Sequence, residues 1–179
     1  MKKYIPTYLA KDIYSINPDF FHLIEKKFLF IDLDNTLDGP HIYDPSKRTV
    51  DLIQKLIKAG LIPIIISNNN KKRVQRYAKT LNIKYVYRAF KPFSINLKKY
   101  AKQENISLNS VIIIGDQVMT DIICANKLGV LSILTEPLTN SDQVITFINR
   151  KLDSHYRKKI INGNLSQSWE DIYAKFQQS

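Results

Sequence analysis

The chain has 179 residues, 44% of them hydrophobic, and a formal net charge of +11. That length can bury a sizeable core, and that composition excludes intrinsic disorder. No apolar run approaches the ~20 residues of a membrane helix, and a lone cysteine, Cys124, cannot form an internal disulfide, so the cytoplasm is the expected compartment.

In chain order, the residues before Phe28 have a helical, amphipathic pattern. Residues 28–33 follow as an apolar run, the pattern of a buried parallel strand, and deliver Asp32 and Asp34. A helix is predicted over 46–59, with Ser46 as its cap and Gly60 beyond its end. The strand predicted over 61–66 runs into Ser67-Asn68-Asn69-Asn70, and a helix over 70–81 comes next. A strand over 84–87 precedes Lys91-Pro92 and a helix over 93–103. The strand over 111–114 ends in Gly115-Asp116-Gln117, with Thr120 and Asp121 opening a helix over 120–128. Gly129, a strand over 130–134 and a helix over 141–151 complete the pattern. Strand and helix alternating this way predict an α/β fold. Its expected form is a doubly wound parallel five-stranded sheet in a single domain, residues 1–179, with helical N- and C-terminal extensions. No internal repeat or linker interrupts it.

In a parallel sheet the carboxyl ends of the strands share one edge, where open α/β sheets bind ligands. Asp32 and Asp34, Ser67, Lys91, Asp116 and Asp121 are therefore predicted to converge. Carboxylates in that number cannot all stay ionised together without a cation among them. Hard oxygen donors without thiol or imidazole suit Mg²⁺, and His22, His41 and His155 have no zinc-ligand spacing. Lys91 and Ser67 supply a positive charge and a donor for a phosphoryl group. Asp32 would attack phosphorus to form an aspartyl-phosphate, and Asp34 would serve as general acid and base.

These residues resemble a known family. Asp32-Leu33-Asp34-Asn35-Thr36-Leu37, Ser67, Lys91-Pro92 and Gly115-Asp116-Gln117-x-x-Thr120-Asp121 are similar, in that order, to the four motifs of haloacid dehalogenase (HAD) superfamily phosphatases. Ser67-Asn68-Asn69, Arg73-Val74, Ala89-Phe90-Lys91-Pro92, Asn126, Gly129 and Asn149-Arg150 resemble more narrowly the capless YqeG-type group, related to mitochondrial phosphatidylglycerophosphate phosphatases. The resemblance implies a HAD-like Rossmannoid sheet, with Asp32 as nucleophile and Asp34 as acid/base. It also implies Ser67 and Lys91 on the phosphate, and Mg²⁺ held by Asp32, Asp34 and Asp116, with Asp121 on the metal or one shell out. One departure is the loop Asp38-Gly39-Pro40-His41-Ile42-Tyr43, where relatives often carry an apolar stretch with proline and tryptophan.

The intervals from Asp34 to Ser67 and from Ser67 to Lys91 leave no room for a large cap domain, so the site is expected to be open. An open site suits a large or surface-bound phosphomonoester, and the resemblance to mitochondrial phosphatidylglycerophosphate phosphatases implies a lipid phosphate as one candidate. The basic charge fits a phosphorylated substrate or simply a lysine-rich solvated surface, and no nucleic-acid motif is present. The stretch 144–160, with Ile145, Ile148, Leu152 and Tyr156 on one face, reads as a helix docked on the sheet or as a peripheral contact with anionic membrane. Two rival functions share the fold. One is a phosphotransferase, which the residues do not separate from hydrolysis. The other is a binding or regulatory module without turnover, whose signature would be loss of Asp32 or Asp34; both are present.

Overall fold

Isoleucine-, valine- and leucine-rich runs bury both faces of a parallel strand, and here they build the centre of a seven-stranded sheet. The strands are β1 (Tyr8–Ala10), β2 (Phe28–Asp32), β3 (Ile62–Ile66), β4 (Lys84–Val86), β5 (Val111–Gly115), β6 (Leu131–Thr135) and β7 (Gln167–Ser168). They lie in the order β4-β3-β2-β5-β6-β1-β7, and every pairing is parallel. The structure is a computed structural model and describes residues 2–139 and 147–178.

Alternation along the central strands feeds two separate cores. Leu29, Ile31, Ile65, Ile112 and Ile114 point to one face of the sheet. That face is covered by α1 (Pro18–Leu23), α2 (Lys47–Lys58), α3 (Lys71–Leu81) and α7 (Trp169–Gln177). Phe30, Ile64, Ile66, Val111 and Ile113 point to the other face, under α4 (Ile95–Gln103) and α5 (Ile123–Leu128). Each of these side chains contributes roughly 1.5–3 kcal/mol by leaving water. Leu52, Ile53 and Leu56 of α2, and Val74, Tyr77, Ala78 and Leu81 of α3, repeat at helical spacing and so present one apolar stripe each to the sheet. The predicted caps at Ser46 and Gly129 hold: Ser46 accepts a hydrogen bond from the Thr49 amide and Gly129 ends α5 with φ +76°; Asn70 caps α3 in the same way, accepting from the Arg73 amide.

The expectation of five strands is corrected to seven. The terminal extensions are not only helical, because each contributes a short strand: β1 pairs with β6, and β7 pairs with β1 to form the edge. Strands of three and two residues are too short to show a period of two; the open edge of β6 recruits β1, and the edge of β1 in turn recruits β7. Thr7 and Ser132 fix the join reciprocally, each amide donating to the other's hydroxyl oxygen at 3.2 and 3.1 Å. The helix predicted over 120–128 begins as a π-turn at Val118–Ile122 before α5. Of the helix predicted over 141–151, residues 141–146 lie outside the described residues; α6 spans Phe147–Asn162. It docks on the sheet, with Ile160 buried and Tyr156 stacked on Tyr4 at 3.9 Å between ring centroids. Among the described residues no helix is long and apolar enough to cross a membrane.

Candidate active site

From β2 the chain winds outward to β3 and β4, then returns across the sheet to β5 on the other side of β2. This reversal makes the carboxyl ends of β2 and β5 a topological switch point, where such sheets bind ligands. Asp32 is the last residue of β2 and lies opposite Ile66 of β3; Ile31 lies opposite Ile114 of β5. Register alone therefore brings Asp32, Ser67 and Gly115-Asp116 to one edge. Lys91 arrives from the loop after β4, and Asp121 from the π-turn after β5.

There the side chains converge. Carboxylate oxygens of Asp32, Asp116 and Asp121 lie within 4.8 Å of one another, and all three residues are buried. The Lys91 ammonium, also buried, donates to Asp32, to Asp121 at 2.7 Å and to the Ile66 carbonyl at 3.2 Å. The Thr36 hydroxyl is 3.5 Å from Asp32 and 3.4 Å from Asp116. Burial pushes the Asp32 carboxyl up to about 7, against the pull of Lys91 and with the push of Asp121 and Asp34. Burial and the neighbouring Asp32 and Asp121 hold Asp116 well above the usual carboxylate range. Burial disfavours the Lys91 charge, but Asp121 and Asp32 outweigh it and hold that ammonium above the ordinary lysine value. One lysine among three buried carboxylates leaves an excess of negative charge that a divalent cation would offset, and oxygen donors alone suit a hard ion.

Gly115 is required by close approach. A Cβ there would lie 2.3 Å from the Asp121 carboxyl carbon. Asp121 in turn accepts the Gln117 amide at 3.1 Å and the Thr120 hydroxyl at 3.4 Å, so the π-turn aims it back over β5.

Asp34 stands apart from that trio. Its two oxygens accept hydrogen bonds from the Arg73 guanidinium and from Asn69 Nδ2, the latter at 3.2 Å. Arg73 is buried, donates also to the Ile42 carbonyl at 3.0 Å, and packs 5.2 Å over the Tyr43 ring. Ser67 is buried at the end of β3 and its oxygen accepts the Asn69 amide at 3.1 Å, which leaves the hydroxyl proton for another acceptor. Asn68 clasps the Lys91 backbone from both sides, accepting its N–H and donating to its C=O, each at 2.7 Å. Asp38 gathers the Ser46 amide and the Thr49 and Tyr77 hydroxyls on one oxygen, tying the loop after β2 to α2 and α3. Arg157 of α6 donates to the Asp116 and Thr135 carbonyls.

Of the six predicted site residues, Asp32, Lys91, Asp116 and Asp121 meet directly, while Asp34 and Ser67 lie at the same edge on other partners. Thr36 and Arg73 lie within the motif runs without being among the six, and Arg157 lies outside them. Arg73 shares the first turn of α3 with Lys71 and Lys72, where the helix dipole disfavours cations, so the sequence does not single it out. Arg157 is 41 residues from Asp116 and carries no local signal either.

Residues 1–139 match the family described as mitochondrial PGP phosphatase. A Bacillus subtilis (strain 168) protein, "Probable phosphatase YqeG", is 30% identical over 152 residues, covering 85% of this chain and 88% of its own. An uncharacterized protein from Listeria monocytogenes serotype 4b superposes with a TM-score of 0.52 at 14% identity, over 74% of this chain and 99% of its own. The N-terminal part of a Bacteroides fragilis protein, containing a phosphatase domain complexed with Mg, superposes with a TM-score of 0.50 at 19% identity. That superposition spans 63% of this chain but only 36% of the other. These two structures share the fold. With the family match over most of its length, the chain belongs to the mitochondrial PGP phosphatase family and is a YqeG-like HAD phosphatase, a phosphoric monoester hydrolase.

Proposed function

We propose that this phosphatase is Mg²⁺-dependent and hydrolyses a phosphomonoester through an aspartyl-phosphate on Asp32. The observation that carries this is the buried trio of carboxylates at the switch point of the sheet, two of them, Asp32 and Asp121, bridged by Lys91. Asp32, Asp116 and Asp121 would hold the cation, with Asp34 the remaining carboxylate of this edge. When bound, Mg²⁺ supplies positive charge that offsets the carboxylates and the incoming phosphate.

An Asp32 oxygen forms a bond to phosphorus as the bond from phosphorus to the ester oxygen breaks. Asp34, in its acid form, gives that leaving oxygen a proton. Water then attacks phosphorus, Asp34 takes a proton from it, and the bond to Asp32 breaks to release phosphate. Arg73 and Asn69, on the two oxygens of Asp34, fix where that proton can go. Lys91 and the Ser67 hydroxyl offer a charge and a donor to the phosphoryl oxygens.

The family name supports a phosphatidylglycerophosphate-type lipid phosphate as substrate. An uncovered edge is compatible with a large one, because only α2 and β3 separate Asp34 from Ser67, and only α3 and β4 separate Ser67 from Lys91. The test is phosphate release from a panel of phosphomonoesters, including phosphatidylglycerophosphate in micelles, with and without Mg²⁺. Release that needs Mg²⁺ and falls to background in Asp32→Asn is expected. Equal release by folded Asp32→Asn would sink the nucleophile assignment, and release indifferent to chelation would sink the metal assignment.

A further inference from the structure

Ten large hydrophobic side chains are exposed among the described residues, and six of them lie on two segments at the edge that carries the site. Ile42 and Tyr43 belong to the loop after β2. Tyr87, Phe90 and Phe93 belong to the loop after β4, and Ile95 opens α4. Phe90, Phe93 and Ile95 are 58%, 60% and 74% exposed, although Phe90 immediately precedes the buried Lys91. Soluble surfaces scatter single apolar residues; several gathered beside one site mark a contact surface.

The backbone aims them outward. Arg88 and Phe90 both adopt left-handed φ values, +44° and +54°, while Ala89 between them is fully buried. A bulky residue rarely occupies that region, and strain of this sort collects at functional segments. The conformation buries Ala89 and Lys91 and leaves a cation and an aromatic ring at the surface. The Phe93 amide donates to the Phe90 carbonyl, closing a turn that carries both rings.

Charge narrows the partner. No acidic residue occurs between Tyr87 and Gln103, a stretch that carries Arg88, Lys98, Lys99 and Lys102. The Lys127 ammonium sits 4.9 Å over the Phe93 ring and Lys71 5.8 Å over Tyr87. Aliphatic and aromatic tips fringed by lysine and arginine fit the interface of an anionic bilayer, where rings and chains enter and cations meet headgroups. A nucleic-acid face would favour stacked aromatics along a groove; the most exposed of the six apolar residues here is an isoleucine.

We propose that the 87–95 segment, together with Ile42 and Tyr43 of the loop after β2, docks this protein on anionic membrane with the Asp32 edge facing the lipid. Docking rests on the proposed function for what it delivers to the site, namely a headgroup phosphate that need not leave the bilayer.

The experiment is co-sedimentation with phosphatidylglycerol–phosphatidylcholine vesicles, with no turnover required. The full chain is expected to bind anionic vesicles, to release at high salt, and to bind phosphatidylcholine alone at least tenfold more weakly. The triple variant Phe90→Ser, Phe93→Ser, Ile95→Ser should lose at least tenfold in partitioning. Phe93→Trp should show a blue-shifted emission on vesicle addition, a readout that does not depend on the triple variant folding. Undiminished binding by the triple variant, no spectral shift, or preference for single-stranded RNA over vesicles would each overturn docking. Protein that releases phosphate from soluble esters but ignores vesicles would overturn docking alone. Protein that binds vesicles yet hydrolyses nothing would overturn the proposed catalysis and leave docking standing.

Discussion

Replacing Asn68 with alanine removes two hydrogen bonds at once, both to the backbone of Lys91 and both 2.7 Å long. Each is worth about 1 kcal/mol net, and a Lys91 N–H left without a partner adds a share of the roughly 1–3 kcal/mol cost of a stranded donor. The sum is about 2–3 kcal/mol. For a chain of this size that lowers the melting temperature by about 5–10 °C. The loss to catalysis should be larger than the loss of stability implies. The Lys91 ammonium reaches Asp32 and Asp121 only because its backbone is held beside β3, and a misplacement of about 1 Å can cost roughly 100-fold in rate. Asn68→Asp is the informative companion. It keeps the acceptor for the Lys91 amide but sets a carboxylate oxygen against the Lys91 carbonyl, so it should be at least as damaging as alanine. Thermal melts and phosphate release, measured side by side for the three proteins, decide the matter. If both variants melt within about 1 °C of the parent, a shift worth under 1 kcal/mol, and retain its rate, Asn68 does not hold the Lys91 loop.

Gly115→Ala puts a Cβ 2.3 Å from the Asp121 carboxyl carbon, so that carboxylate must move; about 1–3 kcal/mol of stability should go with it, and Mg²⁺ should protect the variant against heat less than it protects the parent. Equal protection of both would show that Asp121 can retreat without consequence for the cation. Burial pushes the Cys124 thiol up to about 11 and the side chain is fully buried, so Ellman's reagent at pH 8 should modify it only after unfolding. Because the folded thiol holds its proton longer than the unfolded one, this group is neutral in its effect below the ordinary thiol value near 8.5. It should subtract at most about 1.4 kcal/mol per pH unit as pH climbs from there toward 11. Chemical denaturation across that range, comparing the parent with Cys124→Ala, reads the difference; an identical pH slope for the two would refute it.

Much of this molecule is local in origin and so can be read in one dimension. Runs such as Leu29-Phe30-Ile31 and Ile112-Ile113-Ile114 are apolar on successive residues, which only a strand buried on both faces explains. Ser46 and Asn70 announce helix starts because a cap is a contact over three residues. Asp32, Ser67 and Asp116 could be gathered at one edge because parallel strands share their carboxyl ends, so their position follows from strand direction alone.

What needed the tertiary structure were contacts with no local signature. β1 is a strand because the edge of β6 offers unpaired groups, and β7 because the edge of β1 does; a three-residue segment has no period to display. Asn68 looks like a turn residue until Lys91, 23 positions on, is seen between its two polar atoms. Asp34 and Asp32 are two residues apart, yet one faces Arg73 and Asn69 while the other faces Lys91, since the chain leaves the strand between them. Residue type and strand order thus determined which chemistry could assemble at this edge. The pairing of Asp32 and Asp121 with Lys91, and of Asp34 with Arg73, was decided by loops that meet only once the sheet has closed, because such contacts depend on distances that spacing along the chain does not encode.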